Sequence, residues 1–249
     1  MNEFFSRSEA LLGSEAMETL RSCRVIIFGV GGVGSFAAEA LIRTGLTHLT
    51  IVDGDVVQPS NVNRQLPATS ATVGRPKVEV LRERLLEINP EAEITAINEY
   101  YKPQDLPTSF NFQLSTFNFI IDAIDSVNDK TDLIINATRA RVKIFSSMGA
   151  ALRFDPTQVT MGELMAIKGD ALAKAVRARM KRMNVHPYRK VKCVYSTESA
   201  QPIPTPSLKG GEKVKGSLMQ VTAVFGLTLA SMVINDVMGK GKVEIKPTD

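Results

Sequence analysis

Residues 24–65 read RVIIFGVGGVGSFAAEALIRTGLTHLTIVDGDVVQPSNVNRQ, and the order of apolar runs and glycines in them decides the fold. Val25-Ile26-Ile27-Phe28 is a short apolar run halted by glycine, the pattern of a buried parallel strand. Gly29, Gly31 and Gly34, with Gly32 between them, form G-x-G-x-x-G, and Phe36 to Arg43 continues at helical spacing. Glycines there permit a tight turn and close approach of a phosphate, and the helix start offers free N–H groups to an anion. His48 to Val52 is a second strand, closed by Asp53, which lies 19 residues past Gly34. That is the position of an acid that takes a ribose hydroxyl pair. The order specifies a doubly wound, mainly parallel α/β sheet that binds a nucleotide.

The acids and cations that follow narrow the chemistry. Asp53-Gly54-Asp55 runs into Asn61-x-Asn63-Arg64-Gln65, inside a loop over 54–72 that is longer than most such connections. Gly74-Arg75-Pro76-Lys77 opens a helix over 74–89, with Val78, Leu81, Leu85 and Ile88 on one face and Arg82, Glu83, Arg84 and Glu87 largely off it. Lys77 in its first turn is unfavourable against the macrodipole, an oddity that an anion shared there would resolve. Residues 117–122 are a further buried strand, with Asp122 and Asp125 at its C-terminal end, where open α/β sheets bind ligands. Both acids are expected on the nucleotide side. An arginine, a lysine and a metal-capable aspartate are what attack at a phosphate requires, because cations neutralise charge building on departing pyrophosphate. The plainer alternatives are a hydrogen-bonded polar loop, a surface lysine, and Asp125 as N-cap of the helix over 128–141.

These motifs resemble the ubiquitin-activating-enzyme-like superfamily, which includes the ThiF and MoeB adenylyltransferases. Within it, residues from about 12 to 206 are similar to the tRNA threonylcarbamoyladenosine dehydratases, through RTGLTHLTIVDGDVVQPSNVNRQ (43–65), FIIDAIDSVNDK (119–130), RFDPTQV (153–159) and CVYSTE (193–198). The resemblance implies a Rossmann-like fold with an elaborated C-terminal part, ATP with Mg2+, and carboxylate attack on the α-phosphorus. It implies Arg64 and Lys77 at the phosphates, Asp125 on Mg2+ and Asp53 at the ribose, with Arg64, Lys77 and Asp125 catalytic. The implied nucleotide set is Gly29, Gly31, Gly32, Gly34, Asp53, Asp55, Asn61, Asn63, Arg64, Gln65, Lys77, Asp122, Asp125 and Ser126, Asp122 acting as a hydrogen-bonding support. The implied reaction dehydrates the threonylcarbamoyl group of a modified adenosine in the tRNA anticodon loop, giving a cyclic product. The family also implies a homodimer in which Arg7 is the candidate to reach the other subunit's ATP, a monovalent cation (Na+ or K+), and a cysteine desulfurase/sulfur-acceptor pair as partners.

An adenylyltransferase for the C-terminus of a ubiquitin-like sulfur-carrier protein shares the first chemical step. Thiamine- and molybdopterin-pathway members usually carry two C-x-x-C pairs for zinc, whereas this sequence has only Cys23 and Cys193. A ubiquitin-activating enzyme is expected to need a catalytic cysteine domain for which this chain is too short. An NAD(P)-dependent reductase, indifferent to Arg64 or Lys77, and a non-catalytic nucleotide-sensing scaffold remain open.

At 249 residues and 44% hydrophobic, the chain can bury a full core. The expectation is one continuous domain, with an ATP-binding adenylation core over 1–150 and an extension over 151–249. Two cysteines make no disulfide framework, and the start, MNEFFSRSEALLG, lacks a basic segment followed by an apolar one, so a cytoplasmic location is expected. Residues 11–20 read as a helix, 94–97 as a strand, 105–116 as a helical turn and loop, and 142–146 as the next parallel strand. Past Gly149 the alternation breaks: 154–159 read as strand, turn and strand, and 169–183 as a helix with Leu172, Val176, Met180 and Met183 in one stripe. Lys174, Arg177, Arg179, Lys181 and Arg182 surround that stripe, Arg189, Lys190 and Lys192 follow, and Asp170 is the only acid between Lys168 and Lys192. Net charge is only +4, so its placement matters more than its size. A one-sign block points to a phosphate backbone, tRNA and not DNA by the resemblance. Residues 197–216, with Lys209, Lys213 and Lys215, read as a mobile loop. The apolar run over 217–238 is borderline for a membrane span of ~20 residues and is read as a buried core or dimer helix. Cys193, in an apolar strand, reads as core.

Overall fold

The computed structural model describes residues 3–102, 114–200 and 216–239. Helices α1 (Ser6–Leu12) and α2 (Ser14–Ser22) lead into β1 (Arg24–Phe28). The single helix expected over 11–20 is thus two, because the chain breaks at Gly13, whose N–H closes α1 on the Glu9 carbonyl. The order continues α3 (Gly34–Thr44), β2 (His48–Val52), α4 (Lys77–Ile88), β3 (Glu93–Ile97), β4 (Phe119–Asp122), α5 (Val127–Arg139) and β5 (Lys143–Ser147). It ends with β6 (Val159–Glu163), α6 (Ala171–Arg182), β7 (Lys192–Ser196) and α7 (Met219–Val237). A loop and a helical turn expected over 105–116 fall mostly outside the described residues, as does most of the loop over 197–216.

The strands form one sheet in the order β3-β2-β1-β4-β5-β7-β6, parallel throughout except for β6 against β7. Right-handed crossovers explain the layering, since a sheet that winds first one way and then the other places its helices on opposite faces. One face packs Val25, Ile27, Leu49, Ile51, Phe119 and Ile121 against α3, α4 and α7. The alternate residues Ile26, Phe28, Ile120 and Ile144 face α5 and α6. The direction of winding reverses between β1 and β4, and the crevice beyond their C-terminal ends is where such sheets bind ligands.

The long apolar helix α7 lies along α3 and buries Val221, Phe225, Leu229, Ala230 and Val233. Its length and hydropathy would suffice to cross a membrane, but here it is a packing helix of the sheet's core. Gly226 sets the approach: a Cβ there would collide with the Val33 carbonyl and come within 2.8 Å of the Phe36 Cβ. The segment over 154–159 is not strand, turn and strand; Pro156–Gln158 is a 3-10 turn capped by Asp155, and only β6 follows as strand. A proline fixed near helical φ directly after a capping acid favours that turn over extension.

Candidate active site

A cavity of about 590 Å³ opens at the switch point between β1 and β4. Its walls include Gly29, Gly31, Gly32, Asp53, Asp55, Asn61, Arg64, Gln65, Lys77 and Asp125, and on the far side Met148 to Arg153 and Asp170. Gly34, Asn63, Asp122 and Ser126 are not among the lining residues. The glycine turn leaves β1 at Gly29, where φ is +84° and a Cβ would lie 2.7 Å from the Ala123 carbonyl oxygen. A side chain there would push β1 off the β4 loop, so glycine is obligatory at this crossing.

Asp53 pins that turn. One of its carboxylate oxygens accepts from the Val30 N–H (2.8 Å) and the other from the Asp55 N–H (2.9 Å). Burial pushes its pKa up, only partly offset by the Lys77 charge and these two N–H groups. Lys77, at 5% exposure, sits at the first position of α4, and its Nζ meets Asp55 at 2.7 Å. Tyr100 donates to the other Asp55 oxygen (2.6 Å). Burial raises the Asp55 pKa, but the bonds from Lys77 and Tyr100 outweigh it and hold the carboxyl below its ordinary range. The anion shared by the oddly placed lysine is therefore Asp55 in this state of the protein.

The loop between β2 and α4 delivers the arginine. Asn61 closes a 3-10 turn by accepting from the Gln58 N–H (3.0 Å), and Arg64 follows it. The Arg64 guanidinium donates to the Ser60 carbonyl (2.8 Å) and the Asn63 side-chain oxygen (2.9 Å). Asn63 in turn donates to the Ser217 carbonyl just before α7 (2.9 Å). It lies outside the cavity and holds Arg64 from behind. Gln65 lies over the glycine turn, its Nε2 3.5 Å from where a Gly31 Cβ would stand.

The two aspartates at the C-terminal end of β4 part company, contrary to the expectation that both face the nucleotide. Asp122 is wholly buried beneath the cavity floor, where Lys130, at 0% exposure, meets it at 2.7 Å. Strand alternation is the reason: Asp122 shares the face of Ile120, which packs on α5. Lys130 also donates to Ser146 Oγ (3.3 Å) and the Ser147 carbonyl (2.9 Å), and Ser146 donates to Asp122 (2.6 Å). The second Asp122 carboxylate oxygen accepts from the Ile124 N–H (3.1 Å), which fixes the turn presenting Asp125. Asp125 lines the cavity and does not cap α5; Ser126 does, accepting from the Asp129 N–H (3.4 Å). Freed from capping, the Asp125 carboxylate is open to a cation, with Asp129 one turn later on the same wall. In the sequence Lys130 and Asp129 look like ordinary residues of a polar helix start.

On the far side, Asp170 N-caps α6 through the Ala173 N–H (2.8 Å) and also accepts from Gly149 (3.0 Å). Cys193 is fully buried in β7, and burial pushes its thiol up to about 12.

This geometry joins a glycine turn, two cations and a free carboxylate around one crevice. A model of the ThiF family matches residues 5–248. The chain belongs to the ThiF family. Among similar ThiF-type proteins is the tRNA threonylcarbamoyladenosine dehydratase of Bacillus subtilis, 39% identical over 195 residues that cover 78% of this chain and 75% of that protein. The crystal structure of the E. coli enzyme, TcdA, in complex with ATP superimposes with a TM-score of 0.83 at 33% identity, over 96% of both chains. The complex of the same enzyme with AMP gives 0.84 at 34% identity, over 95% of this chain and 94% of that one.

In this ThiF-family chain the basic segment is only partly free. Lys174, Lys181, Arg182, Arg189, Lys190 and Lys192 are exposed. Arg177 instead donates to the Leu164 carbonyl (2.8 Å), and Arg179 pairs with Asp132 of α5 at 3.1 Å. Of the expected apolar stripe, Val176 and Met180 are buried with Ala173, and Leu172 packs half-buried against the same core, whereas Met183, past the helix end, is 43% exposed.

Proposed function

We infer that this protein is an ATP-dependent tRNA threonylcarbamoyladenosine dehydratase. The observation that carries the reading is its likeness to the ATP complex of that enzyme along nearly the whole of both chains. The cavity supports it locally, being lined by the glycine turn, Arg64, Lys77 and Asp125. Sulfur-carrier adenylyltransferases share the core, but a molybdopterin-synthase adenylyltransferase matches over only 59% of this chain, at 37% identity.

The chemistry asks little of the protein beyond alignment and cations. The threonylcarbamoyl carboxylate is already a nucleophile, so its oxygen attacks the α-phosphorus without a general base, and the bond to pyrophosphate breaks. A neighbouring atom of the same group then closes on the activated carbonyl and gives up its proton to solvent, and AMP departs carrying the carboxylate oxygen, so that the nucleoside loses the elements of one water. Arg64, preset by Asn63 and Ser60, faces the charge that develops on pyrophosphate. Lys77 exchanges Asp55 for phosphate when nucleotide arrives, and Asp53, already holding the glycine turn, borders the ribose. Mg2+ takes one or two carboxylates plus phosphate oxygens, a donor set that Asp125 and Asp129 fit. Bound there, it would neutralise charge on the phosphates.

The tRNA contact on the exposed cations from Lys174 to Lys192, a homodimer and a cytoplasmic setting belong to the same proposal. Arg7, exposed on α1, is the arginine available to a second copy. The test is the nucleoside composition of tRNA from cells with and without the protein. The cyclised nucleoside should disappear, and the uncyclised threonylcarbamoyladenosine should rise in its place; unchanged composition would refute the reading.

A further inference from the structure

Arg153 is only 4% exposed, yet lines the cavity, and its Nε and Nη1 have no hydrogen-bond partner among the described residues. No carboxylate lies within ion-pair distance of it among the described residues. A buried guanidinium without a partner is costly, because it gives up its hydration for nothing. Such a cost is tolerated where an anion arrives during function.

The backbone around Arg153 is clamped while the head group is free. Leu152 holds a left-handed φ of +60° and donates its N–H to the Gly216 carbonyl (2.9 Å). On the other side, the N–H groups of Phe154 and Asp155 both donate to the Glu198 carboxylate, at 3.0 Å to its Oε2. A branched side chain in the left-handed region is strained, and strain of this kind gathers where a side chain must be aimed. Three hydrogen-bonded anchors on the two neighbouring sides fix the direction of a guanidinium that bonds nothing among the described residues.

Two anions enter the cavity in the proposed reaction, the triphosphate and the substrate carboxylate. The triphosphate has its cations already, Arg64 and Lys77, beside the glycine turn after β1. Arg153 follows β5, two strands across the sheet from β1 and its glycine turn, with β4 and Asp125 between. Of the other cavity acids, Asp170 accepts two N–H groups, Asp55 holds Lys77 and Tyr100, and Asp125 and Asp129 are left to a cation. A planar guanidinium matches a carboxylate through two parallel N–H bonds, which fixes orientation as well as charge. We propose that Arg153 receives the threonylcarbamoyl carboxylate and orients it towards the α-phosphorus, so that it is the residue by which the protein tells modified from unmodified tRNA. This assignment rests on the dehydratase reading.

The experiment compares wild type, Arg153→Met and Arg153→Lys. Each is titrated with tRNA bearing threonylcarbamoyladenosine, with the same tRNA carrying unmodified adenosine, and with ATP, and each is melted without ligand. Wild type should prefer the modified tRNA by about tenfold or more, as a charge-assisted bidentate contact gives. Arg153→Met should lose that preference, keep wild-type ATP affinity and melt no lower, since it removes an unpaired buried charge. Arg153→Lys should keep part of the preference, having the charge without the fork. A retained preference in Arg153→Met overturns the proposal. So does a fall in ATP affinity with the preference intact, which would assign the guanidinium to the phosphates. So does unfolding of Arg153→Met while Arg153→Lys folds and binds like wild type, which would make the cation structural. If wild type itself shows no preference and forms no cyclic nucleoside, the dehydratase reading fails instead.

Discussion

Replacing Lys130 by methionine removes the cation from beneath the cavity floor and leaves Asp122 behind. Both side chains are at 0% exposure, and Lys130 makes three contacts there, to Asp122, Ser146 and the Ser147 carbonyl. Methionine fills most of the lysine stem's volume, so the loss is electrostatic and not a cavity. Removing one partner of a buried ion pair costs about 3–5 kcal/mol, because the remaining charge has neither water nor counter-ion. For a domain of this size each kcal/mol shifts the melting temperature by about 2–4 °C, so a fall of roughly 6–20 °C is expected. Asp122 keeps the Ser146 hydroxyl and the Ile124 N–H, which places the effect toward the lower end of that range. The double variant Asp122→Asn with Lys130→Met should recover part of the loss, since asparagine is neutral, its amide oxygen still accepts from the Ile124 N–H, and its amide nitrogen can donate to the Ser146 hydroxyl. Turnover of Lys130→Met should fall as well, because the Ile124 turn that presents Asp125 hangs on Asp122. Urea unfolding and thermal melts followed by circular dichroism measure the first part. A Lys130→Met variant within 1 kcal/mol of wild type, or a double variant no better than the single, would refute the reasoning.

Arg64→Ala and Lys77→Ala should each lower turnover by roughly a hundredfold while changing the apparent KM for ATP little, because their charge matters most as pyrophosphate leaves; a rise in KM alone would assign them to ground-state binding. Lys77→Ala should also weaken the acid-side stability of the fold: Asp55, held below its ordinary pKa, contributes stability above the unfolded carboxylate pKa of about 4 and loses it as pH falls through the lower folded value. Denaturation followed from pH 7 down to 3 checks this, and an unchanged pH profile in Lys77→Ala counts against it. Cys193, buried with its thiol pushed up to about 12, should resist iodoacetamide at pH 8 in the native protein, and Cys193→Ser should retain most activity. Glutamine at Lys174, Lys181 and Arg182 together should weaken tRNA binding and flatten the slope of log affinity against log salt by about 0.7–0.9 for each lost phosphate contact. Arg177 is left out of that set because it holds the Leu164 carbonyl. An equal slope in the triple variant would make the basic segment a solvated face.

The sheet, its doubly wound order and the glycine turn were legible because each depends on local pattern. Val25 to Phe28 halted by Gly29 carries its strand and turn in a few adjacent residues, and the acid ending the next strand follows from spacing. Gly13 and Pro156 break the local pattern more strongly than the apolar spacing around them holds it, so 11–20 is two helices and 156–158 a 3-10 turn. Asp122 could have been placed from period-two alternation, which puts it with Ile120 on the helix-covered face. Lys130 could not: its partner lies on β4 and its other acceptors on β5, and only the register of those strands brings them together. Arg153 was hidden for the same kind of reason. It follows the point where the strand–helix alternation ends, and its meaning lies in partners it lacks, which no spacing records. The one-sign block from Lys174 to Lys192 misled in part, because Asp132, distant in sequence, neutralises Arg179 across the helix pair.

The most direct test of the account is a reaction of purified components: this protein, ATP with Mg2+, and tRNA carrying threonylcarbamoyladenosine, followed by nucleoside mass analysis and AMP quantification. The account predicts that the nucleoside becomes lighter by one water, with one AMP and one pyrophosphate formed for each cyclised residue. ATP turnover without any change in the nucleoside, or turnover that appears only when a carrier protein with a free C-terminal carboxylate is added, would contradict it.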